Sequence, residues 1–246
     1  MSTDKHLFAL YYGSLPSSAA EITITDQQLM HRIATVLRLG VDEEIILFNR
    51  QVNAHARIHA INKKHIIMHV ISREANRTLD PEVSVILPVL KKDSLHEAIY
   101  GLVEAGANRI VLAYTHKSVH HLGQHDLDKL ERIAQAAAEQ SKQFALPEII
   151  PAQQLANIVS MHADQQYRKI YADPQGISLA DQPFFSQDRY LLMVGPEGDL
   201  TDQEKDLLRS SGFIFTRLTP TILRAYQASF LLTGAIRSLL VNTKKS

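Results

Sequence analysis

Hydrophobic positions change rhythm after residue 72, and the change divides the chain. Before it, apolar residues come in short, β-rich, partly alternating runs: HLFALYYG, AEITIT, EIILFN, AHARIHAI and HIIMHVI. A period of two turns one side of each run toward a core and the other toward water, so five short strands are predicted. Asn62-Lys63-Lys64 reads as the turn between the last two. One helix interrupts them: Thr25-Asp26 caps QQLMHRIATVLR, whose Leu29, Ile33, Val36 and Leu37 share a face. A small β-barrel over residues 1–72 is expected, followed by a polar linker over 73–82.

From residue 83 strands and helices alternate. VSVILPVL, RIVLAYT, PEIIP, KIYAD, RYLLMVG and FIFTRL read as strands. Between and after them, SLHEAIYGLVEAG, DLDKLERIAQAAAEQSKQ, ANIVSMHADQ, TDQEKDLLRSSG and AYQASFLLTGAIRSLLVN read as helices. Continuously apolar strands separated by helices make a parallel sheet covered on both faces, so residues 83–246 form an α/β domain. No internal repeat interrupts the series.

Sheets of this kind bind ligands beyond the carboxyl ends of their strands. Two loops at such ends stand out: Gly195-Pro196-Glu197-Gly198 after RYLLMV, and Thr219-Pro220-Thr221 after FIFTRL, before Ile222-Leu223-Arg224. Glycine allows a positive φ or a close approach of backbone to ligand, and proline fixes the turn. Free backbone N–H and C=O groups there suit a flat heterocycle such as adenine. Thr201-Asp202-Gln203-Glu204 then has the capping-box pattern of a helix start. By themselves, the four residues from Gly195 to Gly198 read better as an ordinary tight turn, since short motifs often match by chance. Neither GxGxxG nor a GK[ST] phosphate loop is present, which disfavours dinucleotides and ATP.

Charge and composition narrow the setting. Lys+Arg and Asp+Glu are 26 each, so no global basic field draws the chain to nucleic acid, although a local patch remains open. With no cysteine there is no disulfide, thiolate metal site or cysteine nucleophile. The start MSTDKHLFALYYG lacks a cleavage pattern and no apolar run reaches membrane-spanning length. A cytoplasmic protein without a membrane partner is expected. Twelve histidines include His116, His120, His121 and His125; His121 and His125 have i, i+4 spacing, but Gly123 interrupts any helix there and no acid is spaced to help. No metal site is expected.

The segment MVGPEGDLTDQEKDLLRSSGF resembles the GPEGG-type segment of the SPOUT methyltransferases. Together with HRIATVLRLGVDEEIILFN, LPVLKKDSLHEAIYGLVEAGANRIV, AAAEQSKQFALPEI and LTPTILRAYQAS, it is most similar to the ribosomal RNA small subunit methyltransferase E family. Nearly the whole chain takes part. The resemblance implies a PUA-like RNA-binding barrel followed by a trefoil-knotted α/β domain with a parallel sheet. It also implies a homodimer that transfers a methyl group from S-adenosylmethionine to N3 of a uridine in 16S ribosomal RNA of the small ribosomal subunit.

On the same resemblance, Met193, Val194, Gly195, Pro196, Glu197 and Gly198 form one wall of the cofactor pocket. Leu218, Thr219, Pro220, Ile222 and Leu223 form the other. Arg224 is the expected catalytic residue, stabilising negative charge on the uracil oxygens; its bland alternative is a helix-proximal salt bridge. Glu139 and Gln140 would face the site. Arg32, Arg38, Lys91 and Lys92 are candidates for phosphate contact, each against the alternative of solvated surface charge.

Departures from the family pattern fall on the same loops. Asp199 replaces the last glycine of GPEGG, and LGPRILRTETA becomes a segment with Thr219, Thr221 and Tyr226-Gln227. EQSGR becomes Glu139-Gln140-Ser141-Lys142-Gln143, so an arginine is lost from each of two motifs, with forked donors suited to phosphate. If the backbone at Thr219 needed a positive φ, its β-branched side chain would be strained. The alternative function is therefore a noncatalytic RNA-binding or ribosome-assembly factor on the same scaffold. An enzyme acting on a small metabolite is disfavoured by the appended barrel. A cleft filled by Thr219 or Tyr226 would rule out the methyltransferase.

Overall fold

The computed structural model describes residues 7–118, 120–163, 166–183 and 189–243. Residues 1–6, part of the start that lacks a cleavage pattern, lie outside these, as do 164–165 at the end of ANIVSMHADQ. The chain divides into two compact units, Met1–Arg77 with Ala138–Ala145, and Thr78–Ala137 with Leu146–Ser246.

The first unit holds β1 (Phe8–Tyr11), β2 (Glu21–Ile24), α1 (Gln27–His31), β3 (Glu44–Phe48), β4 (Val52–Ile61) and β5 (Ile66–Ala75). The sheet order is β1-β3-β4-β5-β2; β1 runs parallel to β3 and the other pairs are antiparallel. Alternation is clean on β4, where Ala54, Ala56 and Ile58 are fully buried while His55, Arg57 and His59 take the opposite face. Ile22, Ile24, Ile45, Leu47, Ile66 and Met68 complete the core, with Leu29 and Ile33 packed on it. β5 continues to Ala75, into the segment expected to be linker.

The helix starts as its sequence directs, since the Asp26 carboxylate accepts from Gln28 N at 2.8 Å and Leu29 N at 3.0 Å. It does not continue as expected. Residues Arg32–Val36 form a π turn, closed by Leu37 N donating to Arg32 O at 2.9 Å. The extra residue in that turn rotates the end of the helix off the buried face, so Val36 is 61% exposed, contrary to the regular helical spacing. Arg38, at φ 56°, then ends the helix in the left-handed region.

The second unit contains β6 (Val83–Pro88), α2 (Lys92–Glu104), β7 (Arg109–Tyr114), β8 (Glu148–Gln154) and α4 (Leu155–Met161). Then come β9 (Tyr167–Ser178), β10 (Arg189–Val194), α5 (Asp202–Ser210), β11 (Ile214–Arg217) and α6 (Ala225–Thr243). Helix α3 (Gln124–Ser141) belongs to it up to Ala137. All five pairings are parallel, in the order β11-β9-β10-β6-β7-β8. Every residue of β6 is buried, as its unbroken apolar run requires of a central strand. Helix α6 crosses α2 at Gly101, where a Cβ would stand 2.8 Å from Cγ of Phe230. Arg237 on α6 donates to Pro81 O at 2.7 Å and Gly106 O at 2.8 Å.

The order decides where a ligand can sit. Strands β6, β7 and β8 step outward on one side, and the chain then returns to the other side for β9, β10 and β11. A crevice opens where successive connections diverge, at the carboxyl ends of β6, β9 and β10.

Candidate functional site

Strand β10 ends at Val194, and Gly195-Pro196-Glu197-Gly198 leads the chain out of the sheet. Neither glycine has a positive φ. Gly195 is needed for another reason: a Cβ there would lie 2.8 Å from Oη of Tyr171 on β9 and 3.4 Å from Oδ1 of Asp199. The left-handed residue of the turn is Asp199 itself, at φ 59°. Its N–H donates to Pro196 O at 2.9 Å, closing the turn. Helix α5 follows through a complete capping box, in which Thr201 Oγ1 accepts from Glu204 N at 3.3 Å and Glu204 Oε2 accepts from Thr201 N at 2.9 Å.

The second wall is the loop from β11 to α6. Thr219 Oγ1 donates to Thr221 O at 2.7 Å, and the backbone at Thr219 is not left-handed. The β-branched side chain therefore fits without strain. Arg224 N donates to Gln227 Oε1 at 3.4 Å as α6 begins.

Between these walls is a cavity of about 670 Å³, within the usual size of a small-molecule site. Val194, Gly195, Pro196, Glu197 and Asp199 line one side, and Leu218, Thr219, Thr221, Ile222, Leu223 and Arg224 another. Its remaining wall comes from Tyr171, Ala172, Asp173 and Pro174 in the middle of β9, where its pairing with β10 ends, with Lys91 and Ser94 from the start of α2. Tyr226 is not in the wall; its ring centroid lies 6.3 Å from that of Phe230. The cavity is open despite both departures.

Charge is distributed unevenly around it. Lys91 and Arg224 line the cavity and have no ion-pair partner among the described residues. Asp199 is engaged, since its Oδ2 lies 2.7 Å from Lys205 Nζ, which also stands 3.8 Å from Oδ2 of Asp173. Burial pushes the Asp199 carboxyl up, but Lys205 and the Leu200 N–H outweigh it and hold it below the usual carboxylate value. Burial, then the carboxylates of Asp199 and Asp173, push the Tyr171 hydroxyl well up, so it is a donor throughout the physiological range.

Residues 78–237 match the RNA methyltransferase domain family, and residues 24–71 match the RNA methyltransferase PUA domain. The chain belongs to the RNA methyltransferase family. It is similar to ribosomal RNA small subunit methyltransferase E of Rickettsia conorii, 24% identical over 237 residues covering 94% of this chain and 95% of that one. The corresponding Bacillus subtilis protein is 25% identical over 232 residues, covering 89% and 90%. The fold is shared with the crystal structure of ribosomal RNA small subunit methyltransferase E from Neisseria gonorrhoeae bound to S-adenosyl methionine. There the TM-score is 0.84 at 21% identity, over 95% of this chain and 98% of that one.

Of the residues that family membership points to, most meet at the cavity, but not all. Met193 is fully buried in the core under the sheet, and the carbonyl of Gly198 accepts from Lys117 Nζ at 2.6 Å. Neither lines the cavity, and nor does Pro220. Among the four basic candidates Lys91 alone reaches it; Lys92 is exposed on α2. Arg38 is exposed in the first unit. There Arg32 makes a bidentate pair with Glu139, Nη1–Oε1 at 3.0 Å and Nη2–Oε2 at 2.5 Å.

The Glu139 carboxylate also accepts from Tyr11 N at 2.8 Å, so its structural partners lie in the barrel unit, and Gln140 is exposed. Lys142, where the family pattern has glycine, has φ 57°. It ends the helix in the left-handed region.

Sequence reasoning missed the β9 wall. Tyr171 and Asp173 lie in the run KIYAD, with Pro174 next as β9 continues to Ser178, and only the neighbouring position of β9 and β10 makes them part of the site. The available signal was an acid and a proline directly after an apolar strand. His121, considered as a metal ligand, lies against Tyr114 with centroids 4.9 Å apart. Among the described residues no group of three His, Cys, Asp or Glu can hold a metal, and no helix is long and apolar enough to cross a membrane.

Proposed function

We propose that the protein transfers a methyl group from S-adenosylmethionine to N3 of a uridine in 16S ribosomal RNA. The observation that carries this is the open cavity between the end of β10 and the middle of β9, with Arg224, which has no ion-pair partner among the described residues, on its wall. Family membership supplies the reaction class, and the relatives' names point to small-subunit ribosomal RNA. The Neisseria gonorrhoeae neighbour, described as bound to S-adenosyl methionine, supports the donor.

The residues present fit that donor. Val194 to Pro196 offer a backbone edge to the adenine, while Leu218, Ile222 and Leu223 offer apolar cover. When bound, S-adenosylmethionine supplies an already activated methyl group. What the chain must add is position and charge. Transfer to uridine N3 displaces its proton, which passes to solvent water, and leaves S-adenosylhomocysteine as the other product. Arg224 holds the resulting negative charge on the uracil carbonyl oxygens, and Lys91 helps to seat the adjoining phosphate. Glu197, which accepts from Lys91 N at 3.4 Å, orients the loop that carries it.

We infer a homodimer as the active form, with Ile222, 84% exposed beside the cavity, among the apolar surface available to a second copy. Equilibrium sedimentation measures this directly. An open cavity and an uncommitted cation favour an enzyme over a noncatalytic assembly factor. The test is incubation with labelled S-adenosylmethionine and unmodified small subunits, followed by mass spectrometry of the RNA digest. 3-Methyluridine is expected; a methyl group on any other base, or none, overturns the proposal.

A further inference from the structure

Asp199 holds a backbone conformation, φ 59°, that favours glycine. An L-residue kept there needs a compensating interaction, and its carboxylate makes several. Oδ1 accepts from Leu200 N at 2.7 Å and from Tyr171 Oη at 3.4 Å, and Oδ2 accepts from Lys205 Nζ at 2.7 Å. Tyr171 lies on β9 and Lys205 on α5. One carboxylate therefore ties the turn after β10 to the neighbouring strand and to the following helix. Lys205, 3.8 Å from Asp173, extends the tie to a second residue of the β9 wall. Tyr171, Asp173 and Asp199 all line the cavity.

Gly195 fixes the other end of the same turn. It packs so closely under the Tyr171 hydroxyl that a Cβ would stand 2.8 Å away. The turn is thus seated on Tyr171 at its first residue and fastened to it at its last. We propose that Asp199 is a positioning residue for the methyl donor: through Tyr171 and Lys205 it sets the position of the turn and the shape of the donor cavity. This rests on S-adenosylmethionine being the donor.

A purely structural cap would act on the stability of the fold alone, whereas a positioning residue acts on donor affinity. The full-length protein and the variants Asp199→Gly, Asp199→Asn and Tyr171→Phe are compared by calorimetry with S-adenosylmethionine, alongside their ligand-free melting temperatures. Glycine suits the left-handed backbone, so Asp199→Gly is expected to melt within about 2 °C of the wild type while binding the donor about tenfold more weakly. Asp199→Asn keeps an acceptor for Leu200 N–H and Tyr171, and is expected to regain most of the affinity. A lowered melting temperature with unchanged affinity overturns the inference, as does unchanged affinity with an unchanged melting temperature.

Should Asp199→Gly fail to fold, Tyr171→Phe decides. Removal of the hydroxyl alone is expected to weaken binding about threefold; undiminished affinity overturns the inference. A wild-type protein that does not bind S-adenosylmethionine sinks the donor assignment and this inference together. Failure confined to the variants' comparison sinks this inference only.

Discussion

Gly195 and Tyr171 meet where the end of β10 lies beside the middle of β9, and the contact leaves no room for a side chain on the glycine. The site's first requirement is therefore steric and internal to the protein. Gly195→Ala forces either the turn or the Tyr171 ring to move, at an overpacking penalty of about 1–3 kcal/mol. Donor affinity is expected to fall by about tenfold or more in calorimetry; retention of wild-type affinity would show that the turn shifts freely.

Arg224 is predicted to act on turnover. With no ion pair among the described residues to lose, Arg224→Ala should leave the far-ultraviolet dichroism and melting temperature unchanged while lowering methyl transfer by about 10²–10³-fold. Undiminished turnover would remove Arg224 from the mechanism, and a large loss of stability would make it a structural residue.

Thr201 starts α5 directly below the site. Thr201→Ala deletes the oxygen that accepts from Glu204 N and leaves half of the capping box. Urea unfolding is expected to show a loss of about 1 kcal/mol. A difference below the error of the extrapolation would mean that Glu204 alone suffices.

Glu82 gives a pH signature. Burial acts to raise its carboxyl, but hydrogen bonds from Tyr167 Oη at 2.8 Å, Arg189 Nε at 3.0 Å and Ser84 Oγ at 2.9 Å hold it below the ordinary value. A folded pKa lowered in this way contributes stability above the unfolded value, about 4.3, and loses it as pH falls through the folded one. The melting-temperature advantage of wild type over Glu82→Gln should be full near neutrality and shrink below about pH 4. An advantage independent of pH would exclude the charge as its source.

RNA affinity should depend on salt even though the net charge is zero. Lys91 lines the cavity and Lys92 stands exposed beside it in the chain. Each that meets a phosphate is expected to reduce the slope of log affinity against log salt by about 0.7 when changed to alanine, if the strand is single. A slope unchanged by both substitutions would leave the two lysines as surface charge.

Sequence pattern alone determined the two-part organisation, the strand–helix alternation, the capped starts of α1 and α5, and the two loops that bound the cavity. These are legible because they depend on neighbours a few residues apart: apolar periodicity, caps and glycine–proline turns are local. The tertiary structure decided the rest. The β9 wall enters the site because the strand order sets Tyr171 and Asp173 beside the β10 turn, more than twenty residues away along the chain. It likewise showed that Asp199 and Lys142, not Thr219, carry the left-handed backbone, and that Arg32 is paired with Glu139. Val36 points outward because one extra residue in a π turn shifts the helical phase, a rotation that regular spacing does not contain. Each of these depends on which distant segments pack together, and the energy of that packing is carried by contacts that the order of residues does not display.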